Sequence, residues 1–530
     1  MGEHAYGGPW TLAELIDDRA EHYADLPAIA TTTDELTYGL LRDRAQRLAA
    51  ALCSVGVEPG DRVATMLDPD LPYIAAWFGS SWAGAIEVPI NTAYKGIFLE
   101  HVLQESQARV LVVDARFVER LADIDAPDLQ AVLVVGEDHD ADAIGGRVVL
   151  SFDDALQHDP APMVQRREDE MLYVLYTSGT TGTSKGVMHV NRSALWNARA
   201  WLDILELTHE DTAYSMFPLF HVTARSAVVT ASIWARGRVA LRNGFSLHGF
   251  WDDVRSSGST FFAYMGAVIT LLHKQPPRDD DDDNALRVAF GAAAPPDIVD
   301  DFERRFGVEL LEVYGSTELG PASAPRPGKV KRGTMGRPCE HLLVEIHDEH
   351  DDPLGPGEVG EIVCRPAVPY GLHQGYWRQP EHSLETFRNL WFHTGDSGYL
   401  DDEGYLVFTD RIKDSLRRRG ENISSFEVER SVNAHEQVLE AAAYALPSEL
   451  TEDEVAVAVV PAEGAELAPE ELLRFCVATM PRFAVPRYLR ILDALPKTPS
   501  QRVQKYLLRE QGVTSDTHDR DTFGIEVPRD

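Results

Sequence analysis

The chain has 530 residues, more than one hydrophobic core organises, so two or more domains are expected. Its composition, 44% hydrophobic, 9% aromatic and 25% charged, is ordinary for a globular protein. The 49 basic against 85 acidic residues give a net charge of −36, which argues against nucleic acid and anionic membrane surfaces as partners.

The four cysteines, Cys53, Cys339, Cys364 and Cys476, are scattered, so neither a disulfide framework nor a zinc site is expected. That fits a reduced, cytoplasmic setting. Residues Met1 to Trp10 lack a basic segment followed by an apolar one, so no signal peptide is read there. No uncharged apolar run reaches 18 residues, so no membrane span is expected.

In chain order, Thr11 and Glu14 form a capping box ahead of Leu15 and Ile16. Leu41, Ala45, Leu48 and Leu52 share one helical face, and Gly56 follows as a stop. Strands at Arg62 to Leu67, Ile86 to Ile90, Arg109 to Asp114 and Ala131 to Val135 alternate with helices at Ile74 to Ala83 and Ile97 to Gln104. Such alternation implies parallel sheets covered by helices. Met171 to Leu175 reads as a buried strand, and Ser193 to Leu205 as an amphipathic helix. Strand-like runs follow at Ala213 to Met216, Val288 to Phe290 and Leu310 to Tyr314, and Phe261 to Leu272 is strongly apolar. Asp279 to Asp283 reads as a solvated loop with no metal role. Gly333 to Val407 reads as β-rich. After a charged segment around Asp410 the pattern becomes α+β: helix Ser425 to His435, strands Glu440 to Ala445 and Glu454 to Val460, helix Pro469 to Met480. Residues after Arg509 read as a loosely packed polar tail.

Between Met171–Leu175 and Ser193–Leu205 lies Tyr176-Thr177-Ser178-Gly179-Thr180-Thr181-Gly182-Thr183-Ser184-Lys185-Gly186. Small residues let backbone N–H groups converge on an anion, hydroxyls add donors, and Lys185 adds a compact positive charge. That is the physical content of a phosphate-binding loop, although the spacing is not the Walker pattern. Taken alone, the composition is equally that of a flexible surface loop. The remaining positive focus is Arg417-Arg418-Arg419.

The full loop string resembles the signature of the adenylate-forming superfamily: acyl- and aryl-CoA ligases, peptide-synthetase adenylation domains and luciferase. Further strand-end motifs extend the resemblance from about Thr11 to Arg509. It implies a large N-terminal domain, residues 1–411, of parallel-rich sheets with helices plus a β-rich subdomain. A small mobile α+β domain, residues 412–530, follows it. The ATP site implied comprises Thr177, Ser178, Gly179, Thr180, Thr181, Gly182 and Lys185 of the loop, and Ala293, Ala294 and Pro295 of an adenine-site loop. Tyr314-Gly315-Ser316-Thr317-Glu318, with Glu312 before it, resembles the motif whose aromatic ring stacks on adenine, whose Thr contacts phosphate and whose Glu318 binds Mg²⁺. A carboxylate beside a triphosphate needs a cation between the two; alone, the stretch would read as a turn with a capping Glu. Asp396, in His393-Thr394-Gly395-Asp396, resembles the Asp that accepts both ribose hydroxyls, and Arg411 the Arg that also reaches the nucleotide. A lone Thr-Gly-Asp would be only a turn.

Lys413 occupies the superfamily's hinge position. His221, with Thr223, Tyr264, Met265, Gly266 and Ala292, is implied to line the acyl pocket, and the residue types suggest a mostly apolar guest. His221 is read as a wall or a proton-transfer group, the wall by preference. Arg418, Arg419, Gly420 and Glu421 would border a CoA tunnel, although Arg419 stands where a Gly is usual and an exposed basic turn remains open. The superfamily's catalytic lysine falls on Arg502, which keeps the charge in a bulkier, planar form; Lys505 is a nearby substitute.

The chain looks most like the crotonobetaine/carnitine-CoA ligase type. The implied activity is acid–CoA ligation through an acyl-adenylate, with ATP, Mg²⁺ and CoA, catalysed by Lys185, Glu318, His221 and Arg502. A small-molecule carboxylic acid would be the partner, and a homodimer is left open. Two alternatives stand beside it: an ATP-dependent diazotase that activates nitrite for transfer to an aryl amine, and a nucleotide-binding protein without catalysis.

Overall fold

The computed structural model describes residues 8–137, 142–177, 184–412, 416–418, 421–423, 425–447, 453–480, 482, 484–498 and 503–527. The described residues divide into two compact units, one built from those up to Thr177, from Ser184 to Val344 and from Cys364 to Phe392, the other from Glu345–Val363 and those from His393 onward.

The first unit holds two seven-stranded sheets of the same plan. One runs in the order Val148–Ser151, Ala131–Val135, Ala108–Asp114, Arg62–Met66, Ile86–Pro89, Met171–Thr177, Lys185–Val190. It is parallel except for the last strand. The other runs Glu309–Glu312, Val288–Ala292, Phe261–Met265, Thr212–Ser215, Arg238–Leu241, Pro27–Ala30, Glu35–Thr37, again parallel except for the last. Runs such as Val110-Leu111-Val112-Val113 are buried on both faces, as a helix-covered parallel sheet requires.

Helices Leu12–Tyr23, Tyr38–Ser54, Leu71–Trp82 and Asn191–Leu205 fill the space between the sheets, and one core joins them to both. Thr11 caps the first of these: its hydroxyl accepts the Glu14 N–H, and Glu14 accepts the Thr11 N–H. Phe261 and Ala263 point into that central core. Phe262 and Tyr264 point to the opposite face, where Phe250–Ser257, Gly266–His273 and Pro296–Phe306 pack. This is the period-two alternation of a strand with helices on both sides. Each fully buried large side chain, Trp77 and Phe261 among them, contributes roughly 1.5–3 kcal/mol.

In the second unit, Val438–Pro447, Asp453–Pro461, Tyr488–Ile491 and Thr517–Asp519 form a four-stranded sheet in that order. Helices Ser425–Asn433 and Pro469–Thr479 cover one face, and Lys505–Gln511 packs on the other. From His393 on, the strand Trp391–Leu400 pairs antiparallel with Leu406–Arg411. Among the described residues, no helix is long and apolar enough to cross a membrane.

The structure departs from the sequence reading at three points. The glycine-rich loop does not run straight into a helix. Lys185–Val190 forms an antiparallel strand beside Met171–Thr177, with Lys185 opposite Thr177. Only after it does the helix Asn191–Leu205 begin. The strand expected over Leu310 to Tyr314 breaks at Val313; Tyr314–Ser316 turns back against Gly320–Ala324. Gly315 permits this, since a Cβ there would lie 2.1 Å from the Gly320 carbonyl oxygen. The segment after Arg509 is no loose tail. Thr517–Asp519 joins the sheet, Ile525 is buried, and Asp516 and Asp519 pair with Arg490 and Arg487.

Candidate active site

The candidate residues of the first unit gather at the carboxyl ends of the parallel strands, where an α/β sheet presents its ligands. Tyr264, Met265 and Gly266 lie beside Gly291, Ala292 and Ala293: Tyr264 is opposite Gly291 and Met265 opposite Ala292 in register. The two segments nearly touch. A Cβ on Gly266 would lie 1.7 Å from the Ala293 carbonyl oxygen, and one on Gly291 would lie 2.1 Å from the Tyr264 carbonyl oxygen. Ala293 takes a left-handed conformation, φ 62°. Glu312, on the next strand, braces that turn by accepting the Ala294 N–H at 2.8 Å. Burial raises the Glu312 carboxyl above the usual carboxylate range. Tyr264 itself is committed to the core, its hydroxyl donating to the Leu311 carbonyl at 3.3 Å.

His221 follows the strand Thr212–Ser215, its ring 4.6 Å from that of Phe220. Burial pushes it down to about 4, so the imidazole is neutral at pH 7. Its Nε2 has no hydrogen-bond partner among the described residues. Behind it runs a π-helical segment, Ala224–Thr230. There the buried Arg225 pins the loop by donating to the Leu219 carbonyl at 2.9 Å, pairs with Glu87, and lies 3.9 Å over the Trp77 ring. Thr223 stands at the start of that segment.

Thr177 and Lys185 face each other where the glycine-rich loop begins and ends. His101 donates from Nε2 to the Ser184 carbonyl at 2.9 Å, fixing the loop's far end. Ser178, Gly179, Thr180, Thr181 and Gly182 lie outside the described residues. On the outer edge of the Lys185 strand, residues 374–377 run antiparallel: the Trp377 N–H donates to the Gly186 carbonyl at 2.7 Å and Val187 bridges Tyr376. This brings in residues that no sequence pattern marked. Tyr376 donates its hydroxyl to Glu318 Oε1 at 3.2 Å. The His382 ring packs tilted against Tyr376, centroids 4.7 Å apart, and its Nε2 lies 2.7 Å from Lys185 Nζ.

Two further histidines hold the Thr317-Glu318 backbone. His189 Nε2 lies 2.8 Å from the Thr317 carbonyl oxygen, and His373 Nδ1 lies 3.1 Å from that of Glu318. Carbonyls only accept, so those ring nitrogens carry the protons. Burial keeps both rings neutral, pushing His189 down to about 4 and His373 to about 3. Tyr314 is buried, while Ser316, Thr317 and Glu318 are half-buried.

Glu318 fits a divalent ion: Oε1 is taken by Tyr376, but Oε2 has no hydrogen-bond partner among the described residues. Mg²⁺ is commonly held by one or two carboxylates together with substrate phosphates. Among the described residues, no group of three or more His, Cys, Asp or Glu forms a self-sufficient metal site.

In the second unit, Asp396 and Arg411 are cross-strand neighbours, Oδ1 to Nε 3.4 Å. The turn before Asp396 is held by Thr394, which donates to the Ile362 carbonyl, and by Glu361, which accepts the Gly395 N–H. The short strands Leu416–Arg418 and Glu421–Ile423 pair antiparallel, with Arg418 and Glu421 as register partners. Lys413, Arg419, Gly420 and Arg502 lie outside the described residues. Lys505 is engaged elsewhere, bonding Ser425 Oγ at 2.6 Å and Glu429 at 2.7 Å.

The AMP-binding enzyme family matches residues 16–377, and the AMP-binding enzyme C-terminal domain matches residues 427–502. A crotonobetaine/carnitine–CoA ligase of Salmonella heidelberg (strain SL476) is 31% identical over 517 residues, covering 95% of this chain and 99% of its own. The structure of ATP-bound MatB from Rhodopseudomonas palustris superposes with a TM-score of 0.83 at 26% identity, over 94% of this chain and 98% of that one. That of the anthranilate CoA ligase AuaEII in complex with anthranoyl-AMP reaches 0.87 at 24% identity, over 95% and 98%, and speaks for the fold. With a match over most of its length and a relative at this identity across nearly the whole chain, the protein belongs to the AMP-binding enzyme family.

Proposed function

We propose that the protein is an ATP-dependent acid–CoA ligase working through an acyl-adenylate. The observation that carries this reading is the linkage of Lys185 to Glu318 through His382 and Tyr376, which holds an ammonium and a carboxylate at the loop expected to cradle phosphates.

The first step joins a carboxylate oxygen of the acid to the ATP α-phosphorus and breaks the bond to the β-phosphate, releasing pyrophosphate. Charge builds on the phosphate oxygens, and Lys185 is the fixed cation that meets it. Glu318 would hold Mg²⁺, which when bound supplies charge neutralisation between the triphosphate and this carboxylate. Asp396, with two acceptor oxygens, suits the vicinal ribose hydroxyls, and Arg411 lies beside it. The turn at Ala293-Ala294-Pro295, braced by Glu312, offers small side chains to a flat base. In the second step the CoA thiolate attacks the acyl carbon and AMP leaves. Residues 412–530 act as a mobile domain turning at Lys413 between the steps, with Arg418 to Glu421 beside the CoA. Neutral His221 and the small residues Gly266 and Ala292 favour a mostly apolar acyl group. A cytoplasmic setting belongs to this reading; four free thiols support it.

Pyrophosphate release, screened over carboxylic acids and over nitrite with and without CoA, tests it. The expected result is carboxylate-dependent pyrophosphate release, with AMP and thioester formed only when CoA is present. Turnover with nitrite and an aryl amine, and with no carboxylate, would overturn it in favour of diazotisation.

A further inference from the structure

Lys185 Nζ sits 2.7 Å from His382 Nε2. An ammonium has three donor hydrogens and no acceptor, so His382 must accept. The ring is then neutral, with its proton on Nδ1, where the Glu385 carboxylate lies 3.5 Å away. The ring's plane is set by Tyr376, whose centroid is 4.7 Å distant at an interplanar angle of 39°. The helix that carries it, Pro380–Thr386, is tied to the same tyrosine, because Ser383 Oγ accepts the Tyr376 N–H at 2.8 Å. Tyr376 also stands under the ammonium, 5.8 Å from Nζ to the ring centroid. A long, flexible lysine is thus aimed by an acceptor on one side and an aromatic face on another.

We propose that His382 is a positioning residue for Lys185, holding the ammonium where a bound nucleotide's β- and γ-phosphates meet it. The inference rests on the reading of Lys185 as the triphosphate's cation. Without the acceptor, Lys185 has more rotamers to lose on binding, and ATP binds more weakly. A group that only donates at position 382 would also repel the ammonium.

The test is calorimetric binding of Mg²⁺–ATP, and of adenosine as a probe without phosphates, to the full chain. Compared are the wild type, Lys185→Ala, His382→Ala, His382→Gln, whose amide oxygen accepts, and His382→Arg, which only donates. Loss of one hydrogen bond to a charged group predicts about tenfold weaker ATP binding for His382→Ala. His382→Gln should return to within about threefold of wild type, and His382→Arg should be at least as weak as His382→Ala. Adenosine affinity should be the same in all, which a general disturbance of the fold would not leave. Should His382→Ala fail to fold, the ordering of the Gln and Arg variants decides. Unaltered ATP binding by His382→Ala, or tight binding by His382→Arg, overturns the proposal. If Lys185→Ala itself binds ATP normally, it is the phosphate-site reading that fails. If only Lys185→Ala is impaired, the role of His382 alone is refuted.

Discussion

The Tyr376 hydroxyl donates to Glu318 Oε1 across 3.2 Å, and the same ring backs His382 beneath Lys185. Burial, reinforced by the Glu318 carboxylate, raises the Tyr376 hydroxyl above its ordinary range, so it stays a donor. On the proposed reading Lys185→Ala removes the cation that faces the triphosphate and Glu318→Ala the carboxylate that would hold Mg²⁺, and each should lower pyrophosphate release by about a hundredfold or more. Tyr376→Phe keeps the ring and loses one hydrogen bond to a carboxylate, so a loss nearer tenfold is expected. Steady-state pyrophosphate assays separate the two classes; near-normal rates for both alanine variants would sink the assignment.

His373 is expected to act through the Glu318 backbone. His373→Phe preserves packing against Tyr376, Phe387 and Phe392 but removes the donor to the Glu318 carbonyl. The variant should retain its melting temperature within a few degrees while losing activity about tenfold, since one buried acceptor is left unmet. If kcat and KM are both unchanged, the contact does not position Glu318.

These contacts show what a sequence can and cannot reveal. The Thr11–Glu14 capping box and the Val110–Val113 strand are local features, written in adjacent residues, and the structure reproduces them. The strand Lys185–Val190 was masked by its brevity and by a glycine-rich neighbour. His382 meets Lys185 from a sequence separation of 197, so no periodicity or spacing could couple them. Arg225 pairs with Glu87 from 138 residues away, a contact that no local pattern around either residue announces.

Acid should destabilise the fold through its buried histidines. Burial pushes His189, His221 and His341 from the ordinary 6.5 down to about 4. The unfolded chain therefore takes up protons that the folded one refuses between those values. Stability is complete above about pH 6.5 and is lost as the pH falls toward 4, on the order of 1–2 kcal/mol per histidine at pH 5. Urea unfolding at pH 5 and 7 measures this, and His341→Leu should flatten the slope. A pH-independent midpoint would contradict the burial argument.

Asp410 accepts the Ser425 N–H at 2.6 Å and its hydroxyl at 3.2 Å, so residues on either side of Lys413 in the chain are joined. A rotation at Lys413 would have to break these two bonds. Proline there fixes φ near −65°. Lys413→Pro should leave acid-dependent pyrophosphate release largely intact and block thioester formation. Equal loss of both half-reactions would place the hinge elsewhere.

Arg502 and Lys505 are the two cations that could fill the catalytic lysine's place. Lys505 bonds Ser425 Oγ at 2.6 Å and Glu429 at 2.7 Å, and Glu429 also accepts the Ala443 N–H at 2.9 Å. Burial raises the Glu429 carboxyl, and Lys505 is the principal opposing influence. Lys505→Ala would leave that carboxylate unpaired, a loss of about 3 kcal/mol felt in the melting temperature of the second unit. Its amine is too committed to serve adenylation unless Glu429 is abandoned, so at temperatures where the variant is folded its adenylation rate should stay close to wild type. Arg502 has the opposite expectation. Its permanent charge is the part of the lysine's role most needed as negative charge moves between acid and phosphate. Arg502→Ala should cost adenylation roughly one to three decades with an unchanged melting temperature, and Arg502→Lys should retain or improve the rate. Adenylate formation and thermal unfolding of the three variants decide the matter: a dispensable Arg502 beside an essential Lys505 would mean that Lys505 leaves Glu429 during turnover and that the catalytic cation has moved along the chain.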